Sequence, residues 1–474
     1  KGCEIRFPVS SLPAGINMKR TEREFGLTEG PVGRQLLLFA LPLLGASFIQ
    51  QLYNMVDLLF VGNILGKEAT AAVGASSLLT SCIVGFFTGL SIGMGVVISL
   101  SAGQGNREKI QKGIHTAIGL SLTGGVVLTA AGLLLSRRLL LWMNTPENIL
   151  EQALVYIRIY LLSMLPLFLY NMNAGIIRAR GDSRTPMLFQ LLGAVTNIVF
   201  DWLTMGRWGM DVDGAAWATF GSQLLAALCS VLYLAGRKDE YRLDLRKVRI
   251  SGAILKEVLR IGVPAGLQNL VITISNIFVQ TAINGLGVDV IAAFTAYFKV
   301  ELVLYLPIVA FGQAATTFVG QNLGAGKFGR VQKGVRSCIG MGILYAAAAA
   351  VLLLLFGRYA FGLFSRDAAV IETGMRIIRV TFPFYWLYVI LEVHADALRG
   401  SGNSVQPMII ILACMCVLRT ALLAVFTGIW DSLEAVAAVY PSAWLAAAVC
   451  LTLWWRRFRL STGETAGEKL RTGS

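Results

Sequence analysis

Runs of about 20 consecutive apolar residues recur along the whole chain, and they constrain its fold more than any other feature. Short breaks that contain charged residues, Gly or Pro separate one run from the next. This length and composition is typical of a helix that crosses a bilayer. The pattern predicts twelve spans, at 34–63, 69–100, 113–136, 151–172, 187–205, 214–235, 256–284, 290–319, 334–356, 371–397, 407–428 and 435–455.

The composition excludes a water-soluble protein. Of the 474 residues, 55% are hydrophobic and only 14% are charged, whereas a soluble domain carries roughly 25% charged residues. The formal net charge of +14 does not indicate a nucleic-acid partner, because the basic residues lie in short turns, where they determine membrane orientation. The seven cysteines lie almost all inside apolar runs and predict neither a zinc site nor a disulfide framework.

The chain contains an internal repeat. The segments IRARGDSRTPM at 177–187 and LRGSGNSVQPM at 398–408 match at five positions and lie 221 residues apart. IQKG at 110–113 and VQKG at 331–334 have the same spacing. The spacing contains six predicted spans, an even number, so both halves enter the membrane in the same direction. We therefore expect an all-α polytopic membrane protein with two six-helix lobes related by a parallel repeat.

Lysine and arginine concentrate in alternate turns and in the linker between the two halves. Because basic turns stay on the cytoplasmic side, we expect both termini in the cytoplasm. Met18, which opens a basic run, is a candidate for the true start of the chain. The expected parts are an N-terminal segment at 1–33, a first lobe at 34–236, a linker at 237–255, a second lobe at 256–455 and a tail at 456–474.

Two glycine motifs mimic sites of soluble enzymes. GAGKFG at 324–329 has the spacing of a dinucleotide-binding loop, but it follows a predicted membrane span. Its repeat partner, GQGNRE at 103–108, lacks the third glycine, so a flexible basic turn is favoured over a nucleotide site. GLSIG at 89–93 has the spacing of a nucleophile elbow, but it lies inside a span. The separation of Gly89 and Gly93 instead favours close packing of two helices.

Ionisable residues inside the spans are the candidates for function, because each costs roughly 2.5–3.5 kcal/mol to insert. Asp57 is the only charged residue of the first span. Gln50, Tyr53 and Asn54 precede it on the same helical face.

A second carboxylate, Asp201, shares a face of the fifth span with Asn197. Thr219 lies at a similar depth in the sixth span, so Asp57, Asp201, Asn197 and Thr219 are expected to meet in the outer half of the first lobe. Two carboxylates in one apolar pocket would share a proton or a sodium ion. The alternative is that they are hydrogen-bonded packing groups.

The second lobe does not repeat this cluster. The positions that correspond to its carboxylates and its amide hold Val279, Leu418 and Leu422. The seventh span instead carries a neutral polar stripe, namely Asn269, Thr273, Asn276, Gln280 and Asn284. The stripe predicts either the wall of a substrate cavity, together with Gln50 and Asn54, or a set of interhelical hydrogen bonds.

Further ionisable residues occur in the eighth and tenth spans. Asp396 and Arg399 predict a structural ion pair, since they lie one helical turn apart. Glu392 predicts a site for substrate or for a second proton. Lys299 and Glu301 are two residues apart and cannot share a face, and no role is assigned to them.

The chain resembles the multidrug and toxic compound extrusion (MATE) family, close to its DinF-like prokaryotic branch. The resemblance extends from about Arg34 to Arg457. It is carried by the two RxxGxSxxPM turns and by YNMVDLLFVGNILG at 53–66, NIVFDW at 197–202 and TFVGQNLGAGK at 317–327.

The resemblance implies a monomeric inner-membrane transporter with two lobes around a central cavity. Such a protein is not an enzyme and needs no cofactor, nucleotide or nucleic acid. It exports organic, above all cationic, drugs in exchange for H⁺ or Na⁺ by alternating access. The implied cation-coupling site is matched here by Pro42, Tyr53, Asp57, Asn197, Asp201 and Thr219. A sodium ion would bind at Asp57, Asn197, Asp201 and Thr219.

Two other functions are weighed against this one. A lipid-linked oligosaccharide flippase shares the broader architecture, but it would favour a strongly cationic cavity. An intramembrane enzyme would need a catalytic constellation such as H-E-x-x-H, and no such motif stands out.

Overall fold

The computed structural model describes residues 26–285, 287–429 and 432–471. Within these residues, twelve helical spans are long and apolar enough to cross a membrane, if the two bent pieces of the fourth count as one. The all-α prediction is therefore confirmed. The candidate start Met18 lies outside the described residues, as does most of the expected N-terminal segment.

The first six spans are α1 Val32–Leu65, α2 Lys67–Gly103, α3 Arg107–Trp142, α4 Glu147–Leu162 with Met164–Ala179, α5 Arg184–Arg207 and α6 Val212–Ala235. The next six are α7 Gly252–Asn284, α8 Val288–Gly324, α9 Phe328–Gly362, α10 Ala368–Gly400, α11 Val405–Phe426 and α12 Leu433–Leu460. The two pieces of α4 meet at an angle of 42°.

Several helices are longer than the apolar runs that predicted them. The run at 113–136 became α3, which begins at Arg107 and ends at Trp142. Hydropathy reports only the part of a helix that suits hydrocarbon, whereas the helix continues until a cap ends it. For α3 that cap is Asn106, whose side chain accepts a hydrogen bond from the Lys109 N–H at 2.9 Å.

The two halves of the chain repeat the same packing. In the first half α5 packs against α1 and α6, and α4 packs against α2, α3 and α6. In the second half α11 packs against α7 and α12, and α10 packs against α8, α9 and α12. The correspondence places equivalent helices six spans apart, which confirms the predicted parallel repeat.

The lobes meet most extensively between α2 and α7. Gly89 lies against the backbone of Gly266, and Gly93 lies against Gly262. A Cβ atom added to Gly93 would be 2.7 Å from the Gly262 nitrogen, so only glycine allows this approach. The prediction that Gly89 and Gly93 serve close helix packing is confirmed.

The packing boundary between the lobes differs from the division of the chain at residues 34–236 and 256–455. Leu36, Phe39 and Leu43, in the first half of α1, belong to the hydrophobic core of the second lobe. Ile254 and Val258, in the first half of α7, belong to that of the first lobe. Each lobe therefore receives the beginning of the other lobe's first helix.

One end of the molecule, which we call the basic end, carries the turns at 103–107, 179–184, 324–328 and 400–405. Two crossover segments lie there: residues 26–30, which precede α1, and residues 237–251, which precede α7. Residues 26–30 contact the second lobe, and residues 237–251 contact the first lobe.

The first crossover segment binds to the turn between α8 and α9. The Leu27 N–H donates a hydrogen bond to Gln321 Oε1 at 2.9 Å. The Arg330 guanidinium donates to the Leu27 and Gly30 carbonyls at 3.1 and 2.7 Å. This turn contains the GAGKFG stretch, and Gly326 in it has a φ of 71°, so the predicted turn is confirmed.

The second crossover segment binds to the first lobe in a corresponding way. The Gln111 amide donates to the Glu240 and Arg242 carbonyls at 2.6 and 3.1 Å. The Asp244 N–H donates to His115 Nε2 at 3.3 Å. Each segment thus binds to the lobe whose core holds the beginning of its following helix. The lobes themselves meet at the basic end, where the Gln321 amide donates a hydrogen bond to the Ala179 carbonyl at 2.7 Å.

Candidate functional site

Two carboxylates from different helices meet inside the first lobe. Asp57 lies in the last turn of the α-helical part of α1, and Asp201 is the last residue of the α-helical part of α5. The two carboxyl groups are close enough for the charge of Asp57 to act on Asp201. Asp201 is fully buried, and among the described residues both of its carboxylate oxygens and Asp57 Oδ1 have no polar donor.

Asn197, one turn before Asp201, is as buried as the carboxylate. Its Oδ1 and Nδ2 atoms also have no hydrogen-bond partner in the described part of the chain. Tyr53 and Asn197 line one small pocket with Ser222 and Gln223 of α6. The structure therefore brings four of the predicted residues, Asp57, Asp201, Asn197 and Tyr53, into one region.

Thr219 and Pro42 are not among the residues that line this pocket, and Pro42 precedes Asp57 by roughly 22 Å along α1. Thr219 is buried on α6, and its carbonyl accepts a hydrogen bond from the Ser222 hydroxyl at 2.8 Å. Pro42 is buried inside α1, where its missing N–H leaves one backbone hydrogen bond of the helix unmade.

Tyr156 and Tyr160 of α4 complete the surroundings of the carboxylates. Their rings stack with centroids 5.9 Å apart, and both lie close enough to Asp57 to interact with its charge. The sequence analysis missed them, because tyrosine carries no charge and is common in apolar spans. Their spacing of four residues, which places them on one face, was the available signal.

Each carboxylate precedes a π-helical turn, Asp201 directly and Asp57 by one turn of helix. These turns are Val61–Leu65 at the end of α1 and Trp202–Arg207 at the end of α5, and they contact each other. A π-turn interrupts the regular hydrogen bonding of a helix and is frequent at functional sites. The resulting cluster offers oxygen atoms without donors, which suits a proton or a small hard cation.

A cavity of about 360 Å³ lies between the two lobes, next to the cluster. Of the predicted cavity residues, Gln50, Asn269 and Glu392 are on its wall. Seven amide side chains contribute to the wall, namely Gln50, Asn171, Gln190, Gln223, Gln268, Asn269 and Gln313.

The other predicted cavity residues lie outside this wall. Asn276 accepts a hydrogen bond from Arg419 at 2.9 Å, and Gln280 donates to Asn284 at 2.9 Å. The Thr273 hydroxyl donates to the Asn269 carbonyl of its own helix at 2.9 Å, and Asn54 is exposed. The cavity reaches only the part of α7 around Asn269, so the stripe beyond it forms hydrogen bonds instead.

Four charged side chains reach the cavity wall. Asp396 and Arg399 of α10 form an ion pair, which confirms their predicted structural role. Glu392 lies one turn before Asp396, and Arg178 comes from α4 in the other lobe. From the sequence, Arg178 is the first residue of an RxxGxSxxPM turn, and its place on the cavity wall was not predicted.

The second lobe contains a buried arginine that the sequence analysis missed. Arg419 is 3% exposed and donates to Ser275 Oγ at 2.6 Å and to Asn276. Its guanidinium lies over the Tyr440 ring, 5.8 Å from the centroid. It is the only charged residue of its apolar run, and the high cost of such a charge was the available signal.

Lys299 and Glu301 point to different surroundings, as their spacing predicted. Lys299 is exposed. The Tyr385 and Tyr297 hydroxyls donate hydrogen bonds to the Glu301 carboxylate, that of Tyr297 at 3.4 Å.

Comparison with known proteins gives a consistent result. The chain matches the profile of the MatE family twice, over residues 42–203 and 264–425. It is 29% identical to the "Probable multidrug resistance protein YpnP" of Bacillus subtilis over 407 residues, which cover 86% of this chain and 91% of that protein. It is 26% identical to the "FAD transporter" of Shewanella oneidensis over 424 residues, which cover 88% and 92%.

A solved structure, the outward-facing conformation of a multidrug resistance MATE family transporter of the MOP superfamily, has the same fold. Its TM-score is 0.88 at 24% identity, over 93% of this chain and 99% of that one. The family consists of membrane transporters rather than enzymes. Because the family profile covers most of the chain in two copies, the chain belongs to the MatE family.

Proposed function

We propose that the protein is a secondary active exporter that moves small organic compounds out of the cell in exchange for H⁺ or Na⁺. The observation that carries the proposal is the Asp57–Asp201 pair, in which three of the four carboxylate oxygens are buried and have no donor among the described residues. Two such carboxylates are stable only when a cation reduces their mutual repulsion. The cluster would therefore bind a cation when it opens to the side of the membrane where the coupling ion is concentrated. It would release the cation when it opens to the other side.

Helix α1 links the carboxylate cluster to the packing between the two lobes. Leu43 belongs to the core of the second lobe, whereas Asp57 faces α5 in the first lobe. The helix thus connects the two lobes, and the missing hydrogen bond at Pro42 makes this part of it easier to bend. A cation that draws Asp57 toward Asp201 would change the angle of α1 and open or close the cavity.

We place the basic end in the cytoplasm, because basic turns stay on that side. The described shape, in which the two lobes contact each other at the basic end, would then be the one that accepts the coupling ion from outside. Return of the ion to the cytoplasm would accompany the opening of the basic end and the uptake of a new compound.

One coupled proton supplies enough free energy for export. A single charge that crosses about 100 mV provides roughly 2.3 kcal/mol, and one pH unit adds about 1.4 kcal/mol. At about 1.4 kcal/mol per factor of ten, the sum supports roughly a 500-fold gradient of the exported compound.

Relatives that are named as multidrug resistance or export proteins support an exporter over a flippase or an intramembrane enzyme. Another relative, 21% identical over 434 residues, is the "Multidrug export protein MepA" of Staphylococcus aureus. A flippase for a pyrophosphate-linked oligosaccharide would favour several unpaired cations in the cavity, whereas Arg178 is accompanied there by Glu392.

The test is ethidium transport by the purified protein in proteoliposomes, with a proton or a sodium gradient imposed separately. We expect one of the two gradients to drive ethidium export by the wild type. Asp57→Asn should keep the fold, since amide and carboxyl groups are nearly isosteric, and should abolish the gradient-dependent part. Asp289→Asn, an exposed carboxylate in the first turn of α8, is the matched control and should transport normally. Gradient-dependent export by Asp57→Asn at the wild-type rate would contradict the proposal.

A further inference from the structure

We propose that the central cavity recognises amphoteric compounds, with Arg178 binding an anionic oxygen group and Glu392 binding the organic cation. This inference names the substrate class of the proposed function and rests on it for the transport step. It goes beyond the cationic compounds that the sequence analysis expected.

The first observation is the state of Arg178. Its side chain lies on the cavity wall, and within the described residues the structure shows neither a salt bridge nor a hydrogen bond from its guanidinium. Tyr170 is the group that interacts with its charge. A half-buried guanidinium has lost part of its hydration, which favours a partner, and its planar set of donors matches a carboxylate or a phosphate.

In the second lobe, the arginine at the corresponding position of the repeat has an acidic partner. Arg399 corresponds to Arg178, and Asp396 pairs with it one turn earlier. The residue that corresponds to Asp396 in the first lobe is Gly175. Gly175 packs against the Ser91 backbone, and a Cβ atom there would be 2.9 Å from the Ser91 carbonyl oxygen. The first lobe therefore has no room for the acid that neutralises the second arginine.

Glu392 is the opposite case. It lies on the cavity wall, and in the part of the chain that the structure describes it has no salt bridge. The residue that corresponds to it in the first lobe is the neutral Asn171. Because Asp396 and Arg399 neutralise each other, the cavity is left with one cation from the first lobe and one anion from the second.

The two unpaired charges are separated along the membrane normal. Glu392 precedes Arg399 by seven residues on α10, which corresponds to roughly 10 Å of helix. By the repeat, Arg178 lies at the level of Arg399. A compound that contacts both charges must therefore carry its own charges at well-separated positions.

The rest of the wall also suits a polar ligand. Ligand pockets are usually lined by apolar side chains with a few polar groups, whereas this one has seven amides. An amide donates and accepts hydrogen bonds without a preference for either charge. A simple lipophilic cation would leave Arg178 unpaired, and a simple anion would leave Glu392 unpaired.

The test uses two dyes that differ by one group. Rhodamine 110 carries a free carboxylate on its phenyl ring and a positive charge shared by the two amino groups at the far ends of its xanthene ring system, and rhodamine 123 is its methyl ester. Their binding to the purified full-length protein in nanodiscs is measured by fluorescence anisotropy, without any ion gradient. We expect the wild type to bind rhodamine 110 at least fivefold more tightly than rhodamine 123.

Arg178→Gln should raise the Kd of rhodamine 110 about tenfold or more, which is the effect of losing a charge-assisted hydrogen bond. It should change the Kd of rhodamine 123 by less than about twofold, since that dye has no anionic group. Arg178→Lys, which keeps the charge, should retain part of the preference. Arg184→Gln, an exposed arginine at the start of α5, is the matched control and should bind both dyes like the wild type.

Glu392→Gln should weaken both dyes, because both carry the cation. Equal binding of the two dyes by the wild type, or an equal loss of both in Arg178→Gln, would overturn the inference. Export is then measured separately in proteoliposomes. Arg178-dependent binding without gradient-driven export would leave the inference standing and contradict the proposed function instead.

Discussion

Arg419 is held inside the second lobe by neutral partners. The Ser275 hydroxyl accepts a hydrogen bond from its guanidinium and donates one to the Met415 carbonyl at 3.2 Å. Met415 belongs to the π-helical turn Ala413–Leu418 of α11. A single serine thus joins α7, the buried charge and the irregular turn.

Ser275→Ala should destabilise the protein by about 1–2 kcal/mol, because a buried charge loses an acceptor. The measurement is thermal or chemical unfolding of the purified protein in detergent. The matched control is Ser121→Ala in α3, whose buried hydroxyl bonds only to the Ala117 carbonyl of its own helix. A loss in Ser275→Ala no larger than in Ser121→Ala would show that Arg419 is satisfied without Ser275.

For single residues, the sequence predicted which side chains share one face of a helix. It did not predict the contacts that a side chain makes with another helix. Asp57 and Asp201 were found because each stands out in its own apolar run. For Asn276 both a cavity wall and an interhelical hydrogen bond remained open, because nothing in its own helix reveals that Arg419 approaches it. Arg178 was placed in a turn, since its position relative to the cavity depends on the lobe packing.

Helices α2 and α7 form the closest contact between the lobes. Their backbones approach at Gly89 and Gly93, where a side chain would meet Gly262 and Gly266. The spacing of these glycines predicted close packing, but it could not name α7 as the partner, because Gly262 and Gly266 are equally consistent with a contact inside their own lobe.

Gly93→Ala should strongly reduce the amount of folded protein, since the added Cβ atom would be 2.7 Å from the Gly262 nitrogen and the Val258 carbonyl oxygen. Gly74→Ala, in the same helix with no atom within 4 Å of the added Cβ, should be neutral or stabilising by up to roughly 1 kcal/mol. Size-exclusion profiles and unfolding temperatures of both variants provide the measurement. Equal behaviour of the two variants would rule out a tight α2–α7 contact.

Arg330 connects the first crossover segment to the second lobe. Arg330→Gln should release this segment, so the Leu27 amide should exchange its hydrogen faster. Hydrogen exchange followed by mass spectrometry of peptides that cover residues 26–31 measures the change. Lys333→Gln, an exposed residue of the same helix, is the control. Unchanged protection in Arg330→Gln would mean that the Leu27 bonds to Gln321 and to the Asn322 amide, which donates to the Leu27 carbonyl at 3.1 Å, suffice.

The whole molecule has one end rich in basic turns and an opposite end with few. A single labelling experiment can decide which of these two ends faces the cytoplasm. The expected orientation follows from charge asymmetry alone, because both lobes enter the membrane in the same direction.

Single cysteines at Lys67, Arg207 and Lys238, in a background without the native cysteines, should differ in their labelling by an impermeant maleimide. All three positions are exposed. We expect labelling of intact cells at the first two, and at Lys238 only after the cells are opened. Labelling of Lys238 in sealed cells would reverse the orientation and with it the direction of the proposed exchange.

The crossover segments also affect how the protein is made. The Leu27 carbonyl accepts its hydrogen bond from Arg330, which lies 303 residues later in the chain. At roughly 5–20 residues per second, a ribosome needs about 15–60 s to reach that partner. During this interval the first half of α1 has no core to join, because the core that surrounds it belongs to helices not yet synthesised. The first lobe therefore completes its own assembly only when the second one has entered the membrane.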